Sequence, residues 1–246
     1  MRDLDWLTAR PVAHRGLHDA AAGVIENTPS AFAAAIAGHY AIELDLQISA
    51  DGEAVVHHDG ELGRLTDGAG RLDAMSVAEL KRVPFKATAD RIITLGELLD
   101  LVASRATLVI ELKSRSDGDR RLALRAAELI AGYRGPAALM SFDPFQVELV
   151  RQAAPALTRG IIAERHYAPA PDARAGAERS LAYLSHLWRA RPQFVAYAVN
   201  DLPALPPWLA RSVLGLPLLT WTVRTAQDRQ RAARWADQMI FEGWRA

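Results

Sequence analysis

Residues 41–59 read A-I-E-L-D-L-Q-I-S-A-D-G-E-A-V-V-H-H-D. Ala41–Ile48 is an apolar run interrupted by Glu43 and Asp45, and residues two apart in a strand point to the same face. Asp51-Gly52 is a dipeptide of tight hairpins, so Ala54–His58 is expected to fold back on the strand before it. That hairpin decides the fold. Candidate strands also occur at Pro11–His14, Thr107–Leu112, Ala137–Phe142, Gly160–Ala163, Phe194–Val199, Leu216–Val223 and Gln238–Glu242. With Ala54–His58 turned back as a hairpin arm, eight strands remain for crossover connections.

Between these strands lie Ala/Leu/Arg-rich helical runs with readable starts. Thr28 stands as the cap of a helix with Pro29 at its first position and Gly38 as its stop. Ser76–Glu79 and Thr94–Glu97 have capping-box spacing, and Asp143-Pro144 with Gln146 marks another start. Alternating strands and helices imply βαβ units around a buried parallel sheet. The expected fold is a (β/α)8 TIM-type barrel, one domain over residues 1–246, with a small rim insertion after the second strand at about 49–90. Gly160 to Pro192, with Pro169 and Pro171, is the expected second rim insertion.

Composition narrows the function. Twenty-nine Lys+Arg balance 29 Asp+Glu, so no basic excess exists to bind nucleic acid. Half of the residues are hydrophobic, which excludes a disordered chain. The absence of cysteine removes disulfide frameworks, thiolate metal sites and Cys nucleophiles, and fits a reducing compartment. Met1–Pro11 carries Arg2, Asp3, Asp5 and Arg10 and does not read as a signal peptide. No run approaches the ~18–20 apolar residues of a membrane span. A soluble cytoplasmic protein without stable membrane insertion is expected; the sequence does not fix its oligomeric state.

Reactive groups in such barrels sit where strands run out into the following loops. Four strand ends carry polar residues that packing does not call for: His14-Arg15-Gly16, Glu43-Leu44-Asp45, His57-His58-Asp59 and Glu111-Leu112-Lys113. Adjacent carboxylates repel unless a cation lies between them. Glu43, Asp45 and Glu111 converging at one barrel mouth would give all-oxygen ligation suited to one divalent cation, Mg²⁺ or Ca²⁺. His14 and one of His57/His58 form an acid/base pair, and alternation puts only one of those two inward without saying which. Arg15 offers a fork suited to phosphate. Asp59 reads as a turn residue beside His58, and His39, His166 and His186 as surface residues. Trp221 at the mouth would wall a substrate's apolar group. Nucleotide-loop and serine-hydrolase signatures are absent.

Eight short motifs stand in a familiar order: A-H-R-G (13–16), E-N-T (26–28), E-L-D (43–45), D-G (51–52), V-V-x-H-D (55–59), I-E-L-K (110–113), S-F (141–142) and W-T-V (221–223). Together they resemble the glycerophosphodiester phosphodiesterase family, over about residues 11–223. The resemblance implies a phospholipase-C-like barrel that hydrolyses a small-molecule glycerophosphodiester to glycerol 3-phosphate and an alcohol with Mg²⁺ or Ca²⁺. Its metal carboxylates match Glu43, Asp45 and Glu111, and its acid/base histidines match His14 and His58, which selects His58 over His57. Arg15 and Lys113 match positions near the phosphate, and Glu26 matches a site-supporting acid. Three places depart from the family pattern: His57 replaces an aromatic, Arg64-Leu65-Thr66-Asp67 replaces an R-T-T stretch, and Ile240-Phe241-Glu242-Gly243 stands where T-D-x-P is usual. Those departures bear on substrate choice more than on catalysis. The implied chemistry has His14 as base and His58 as acid, a cyclic phosphate then being opened by water. A lysophospholipase D-type activity on acylated diesters is the alternative within the same chemistry, and a catalytically silent phosphodiester-binding barrel the alternative outside it.

Overall fold

The computed structural model describes residues 4–165 and 187–246. Its sheet contains β1 (Val12–Ala13), β2 (Ala41–Ile48), β3 (Ala54–Val56), β4 (Leu108–Leu112), β5 (Ala137–Ser141), β6 (Thr158–Ala163), β7 (Phe194–Ala198), β8 (Leu218–Val223) and β9 (Gln238–Phe241). Strand β3 pairs antiparallel with β2, Leu46 opposite Val56 and Ile48 opposite Ala54, with Gly52 in the turn at φ +83°. The other eight strands are parallel, and β1 closes the ring by pairing with both β2 and β9. The chain is therefore an eight-stranded parallel barrel with the expected hairpin arm outside it.

The helices, in chain order, are α1 (Asp5–Thr8), α2 (Pro29–Ala37), α3 (Val77–Leu80), α4 (Leu95–Val102), α5 (Arg121–Ala131), α6 (Pro144–Ala153), α7 (Leu187–Ala190), α8 (Leu205–Ser212) and α9 (Ala226–Trp235). Ser76/Glu79 and Thr94/Glu97 form complete capping boxes, and Thr225/Asp228 forms a third. Thr28 differs from expectation. Its hydroxyl donates backward to the Ile25 carbonyl at 2.7 Å and caps nothing, so α2 begins on the fixed φ of Pro29 and on the Asp90 carboxylate, which accepts from the Ser30 amide at 3.2 Å. Pro169, Pro171, His166 and His186, expected in a second rim insertion or at the surface, lie outside the described residues.

Alternation along the strands builds the interior. Val12, Ala41, Val109, Ala138, Met140, Ile162, Phe194, Ala196, Leu219 and Ile240 pack inside the barrel, with Leu7 and Trp6 of α1 against them. Gly160 is required there, because a Cβ would lie 2.3 Å from the Phe194 ring. Continuing each inward stripe by one step of two toward the strand's C-terminal end replaces the apolar side chain with a functional one. Val12 is followed by His14, Ala41 by Glu43 and Asp45, Val109 by Glu111, Leu219 by Trp221, and Ile240 by Glu242. The excursion after β3 has its own core of Ile25, Val55, Leu62, Leu72, Leu80, Phe85 and Ile92. That core ties the excursion to β3 through Val55 and to the segment before α2 through Ile25.

Candidate active site

The mouth of the barrel is a cavity of about 330 Å³ whose walls include His14, Arg15, Glu43, His58, Glu111, Lys113 and Trp221. Glu43, Asp45 and Glu111 each turn a carboxylate oxygen toward a common point, all within 4.8 Å of one another. They are 2 %, 1 % and 8 % exposed. The register explains the meeting: Asp45 lies directly opposite Glu111 across the β2–β4 pair. Three buried hard-oxygen donors are the set that Mg²⁺ or Ca²⁺ takes. A cationic group already marks the spot, for the Lys113 ammonium lies 2.9 Å from Asp45 and 2.7 Å from Glu111.

Electrostatics of the cluster follow from this packing. Burial, then Asp45 and Glu111, push the Glu43 carboxyl well above the usual carboxylate range. Burial likewise raises Glu111 to about 7, against the pull of Lys113. Burial acts on Asp45 in the same direction, but Lys113, His58 and Arg15 overcome it and hold that group ionised. Lys113 is in turn kept charged by Asp45 and Glu111 despite the opposing effect of its burial.

Each predicted histidine is fixed by a carboxylate at Nδ1. His14 Nδ1 stands 2.7 Å from Glu242 Oε2, and His58 Nδ1 stands 2.7 Å from Asp59 Oδ1. A carboxylate accepts, so each Nδ1 carries the proton and each Nε2 is the nitrogen left for chemistry. The Nε2 of His14 lies 3.9 Å from Glu43. Burial lowers both imidazoles below their ordinary value; Glu242 opposes this at His14 and Asp45 opposes it at His58. His57 is excluded from the cavity: it is buried, with Nδ1 at 2.9 Å from the Asp59 carbonyl oxygen.

Arg15 and Asn27 owe their positions to left-handed backbone, at φ 55° and 56°. Gly16 follows at φ +81°, where an added Cβ would come within 2.8 Å of Ala31. This turn lets the Arg15 amide donate to Glu43 at 2.9 Å while its guanidinium reaches Glu26 at 2.8 Å. Asn27 clamps Asp45 from both sides, donating to its carboxylate at 2.8 Å and accepting from its amide at 3.2 Å. Glu26 does not wall the cavity; its oxygens are taken by Arg15 and Arg64, so it acts on the site through Arg15. Arg64 also donates to Asp59 at 2.5 Å, joining the His58 and Arg15 sides of the site. Trp221 meets Phe142 edge-on at 5.4 Å.

All nine sequence-predicted residues thus gather in or directly behind one mouth. Sequence reasoning missed Asn27, Asp59, Arg64 and Glu242. Asn27 lay inside the E-N-T motif and Asp59 beside His58, so a local signal existed for both. For Arg64 and Glu242 the only signal was that each sits where the family pattern is broken.

A family model described as the glycerophosphoryl diester phosphodiesterase family matches residues 14–243. The chain belongs to that family. A glycerophosphodiester phosphodiesterase of Caldanaerobacter subterraneus is 29 % identical over 236 residues, covering 89 % of this chain and 88 % of the relative. A putative glycerophosphoryl diester phosphodiesterase from Silicibacter pomeroyi superposes with a TM-score of 0.77 at 25 % identity, over 94 % of this chain and 89 % of that one. The structure of an Oleispira antarctica phosphodiesterase in complex with sn-glycerol-3-phosphate superposes with the same score at 20 % identity, over 96 % and 94 % of the two chains. Members of the glycerophosphoryl diester phosphodiesterase family therefore share this barrel. Among the described residues no helix is long and apolar enough to cross a membrane.

Proposed function

We propose that this chain hydrolyses glycerophosphodiesters to glycerol 3-phosphate and an alcohol, with His14 as general base and His58 as general acid. One observation carries the reading: two imidazoles, each donating its Nδ1 proton to a carboxylate partner, border the same cavity as a buried triad of metal-type carboxylates. A divalent cation, Mg²⁺ or Ca²⁺, bound by Glu43, Asp45 and Glu111 would supply Lewis-acid polarisation of the phosphoryl oxygens.

The residues of the chain account for the proton movements. His14, neutral at neutral pH because burial lowers it, takes the proton of a glycerol hydroxyl at Nε2. That oxygen attacks phosphorus, the bond to the leaving alcohol breaks, and His58 Nε2 gives the departing oxygen its proton. Glu242 stabilises the imidazolium formed at His14. A bound phosphodiester anion beside His58 favours its charged, proton-donating form. Arg15, held by Glu26, and Lys113 spread the negative charge that develops on the phosphoryl group. Water then opens the cyclic phosphate with the two histidines in exchanged roles.

The test is glycerol 3-phosphate release from glycerophosphocholine with Mg²⁺, with Ca²⁺ and with EDTA, with His14→Ala and His58→Ala alongside. Metal-dependent release that falls by about 10²–10⁴ in each variant is expected. Near-normal turnover by His14→Ala would remove the scheme. Release of a lysolipid head group in place of soluble turnover would move the activity to acylated diesters, and metal binding without turnover would make the barrel a silent binder.

A further inference from the structure

Lys113 belongs to the wall of the mouth cavity and, through its ammonium, to the carboxylate triad itself. Resting on the reading of Glu43, Asp45 and Glu111 as the divalent-cation ligands, we propose that Lys113 makes cation binding conditional on a bound phosphate ester. The triad holds its cation weakly by itself and tightly once the anion is in the mouth.

The backbone sets the place of the ammonium. Lys113 follows Glu111 by two residues, just beyond the end of β4, so the two side chains leave the chain on one face. The Lys113 amide donates to the Leu46 carbonyl oxygen at 3.1 Å, which carries the β2–β4 pairing one residue further and anchors the stem. From that anchor Nζ reaches Asp45 Oδ1 at 2.9 Å and Glu111 Oε1 at 2.7 Å, two of the three carboxylates. Arg15 brings a second positive group, its Nε 3.4 Å from Asp45 Oδ2.

Charge decides the consequence. Three carboxylates facing one ammonium and one guanidinium carry at most a single net negative charge, and ligand charge sets the affinity of an oxygen site for a divalent ion. A cation on the triad shares two of its ligands with Lys113, so the two positive groups stand close enough to repel strongly. A phosphate ester in the mouth reverses this. Lys113 and Arg15 both line the mouth cavity, and an anion paired with them offsets the charge that opposes the cation. Arg15 is already committed to Glu26 at 2.8 Å, whereas Lys113 has no ion-pair partner outside the triad among the described residues. Lys113 is therefore the group whose charge the anion takes up. The two ligands then reinforce each other, and linkage requires the same factor in both directions.

The experiment is a calorimetric titration of Ca²⁺ into the full chain, with and without saturating sn-glycerol 3-phosphate, for wild type, Lys113→Met and Lys113→Gln. In wild type the ester is expected to tighten Ca²⁺ at least about tenfold, and Ca²⁺ to tighten the ester by the same factor. Without the ester, both variants are expected to bind Ca²⁺ at least about tenfold more tightly than wild type and to gain less when it is added. Melting in EDTA verifies that each variant is folded. Glutamine keeps a donor for Asp45 and Glu111, so it decides the matter if the methionine variant folds poorly. Variants that bind Ca²⁺ no more tightly than wild type without the ester would overturn the proposal and leave Lys113 a plain phosphate contact. Wild-type Ca²⁺ affinity that ignores the ester would overturn it as well, whatever the variants do. Failure of wild type to bind Ca²⁺ in either condition would overturn the reading of the triad itself.

Discussion

His14 and Glu242 are 228 residues apart in sequence, and their side chains meet at 2.7 Å across the seam where β1 and β9 close the barrel. Glu242 is also bound by Arg224 at 2.8 Å. The carboxylate therefore fixes both the tautomer and the orientation of the base, and barrel closure is what delivers it.

Replacing Glu242 with Gln keeps the shape and removes the charge that stabilises the imidazolium. The expected result is a fall in kcat of about 10², with KM changed much less. Stability gives an independent readout. His14 and Arg224 hold the Glu242 carboxyl down to about 2, below its ordinary value. A depressed folded-state pKa contributes stability that is present above the unfolded value and lost as pH falls through the folded one. The stability advantage of wild type over Glu242→Gln in urea titrations should accordingly be full near neutral pH and shrink between about pH 4.5 and 2.

Arg64 makes a second prediction. It is half exposed, yet it grips Asp59 behind His58 and Glu26 behind Arg15, so the acid and the phosphate fork share one anchor. Arg64→Ala should lower kcat about tenfold while leaving the divalent-ion affinity of the triad unaltered in a calorimetric titration. Arg64→Lys should recover little, because one ammonium cannot reproduce a fork that serves two carboxylates. Full activity in the alanine variant would show that the bridge positions neither His58 nor Arg15.

The barrel was legible in the sequence because its hardest ambiguity had a local answer: Asp51-Gly52 turns β3 back, and the other strands announce themselves as apolar runs. Glu43, Asp45 and Glu111 were legible for a similar reason, since a spacing of two fixes a common face. What escaped depended on distance or on backbone. Glu242 and Arg64 acquire meaning only when the ring closes and the rim folds over it. Asn27 reaches Asp45 because its φ is positive, which no apolar pattern reports. Gln146 read as a helix-start residue, whereas its side-chain amide donates to the Asp119 carbonyl oxygen, a contact that no local pattern reports. Thr28 had a cap's identity and position, but the Ile25 carbonyl competes for its hydroxyl.

The carboxylate triad should show a conflict between function and stability. Glu43 is driven toward its neutral form by burial and by two neighbouring carboxylates, and Gln at that position mimics the neutral form while still accepting from the Arg15 amide. Glu43→Gln is therefore expected to melt at the same temperature as wild type, or above it, in EDTA. Adding millimolar Mg²⁺ or Ca²⁺ should raise the melting temperature of wild type through mass action and leave the variant unmoved. A variant that still shifts with divalent ions would show that Glu43 is not a ligand.

Trp221 separates two roles that a single side chain can play at the mouth. Its ring packs edge-on against Phe142, and its Nε1 is buried without a hydrogen-bond partner among the described residues. Trp221→Phe retains a ring against Phe142 and deletes only the donor. If Nε1 serves a substrate oxygen, kcat/KM on glycerophosphocholine falls about tenfold. The melting temperature meanwhile stays level or rises, because a buried donor with nothing to bond has been removed. If the ring serves only as an apolar wall, both quantities stay near wild type and Trp221→Ala alone impairs the protein. The pattern that contradicts both roles is a variant with full turnover after Trp221→Ala.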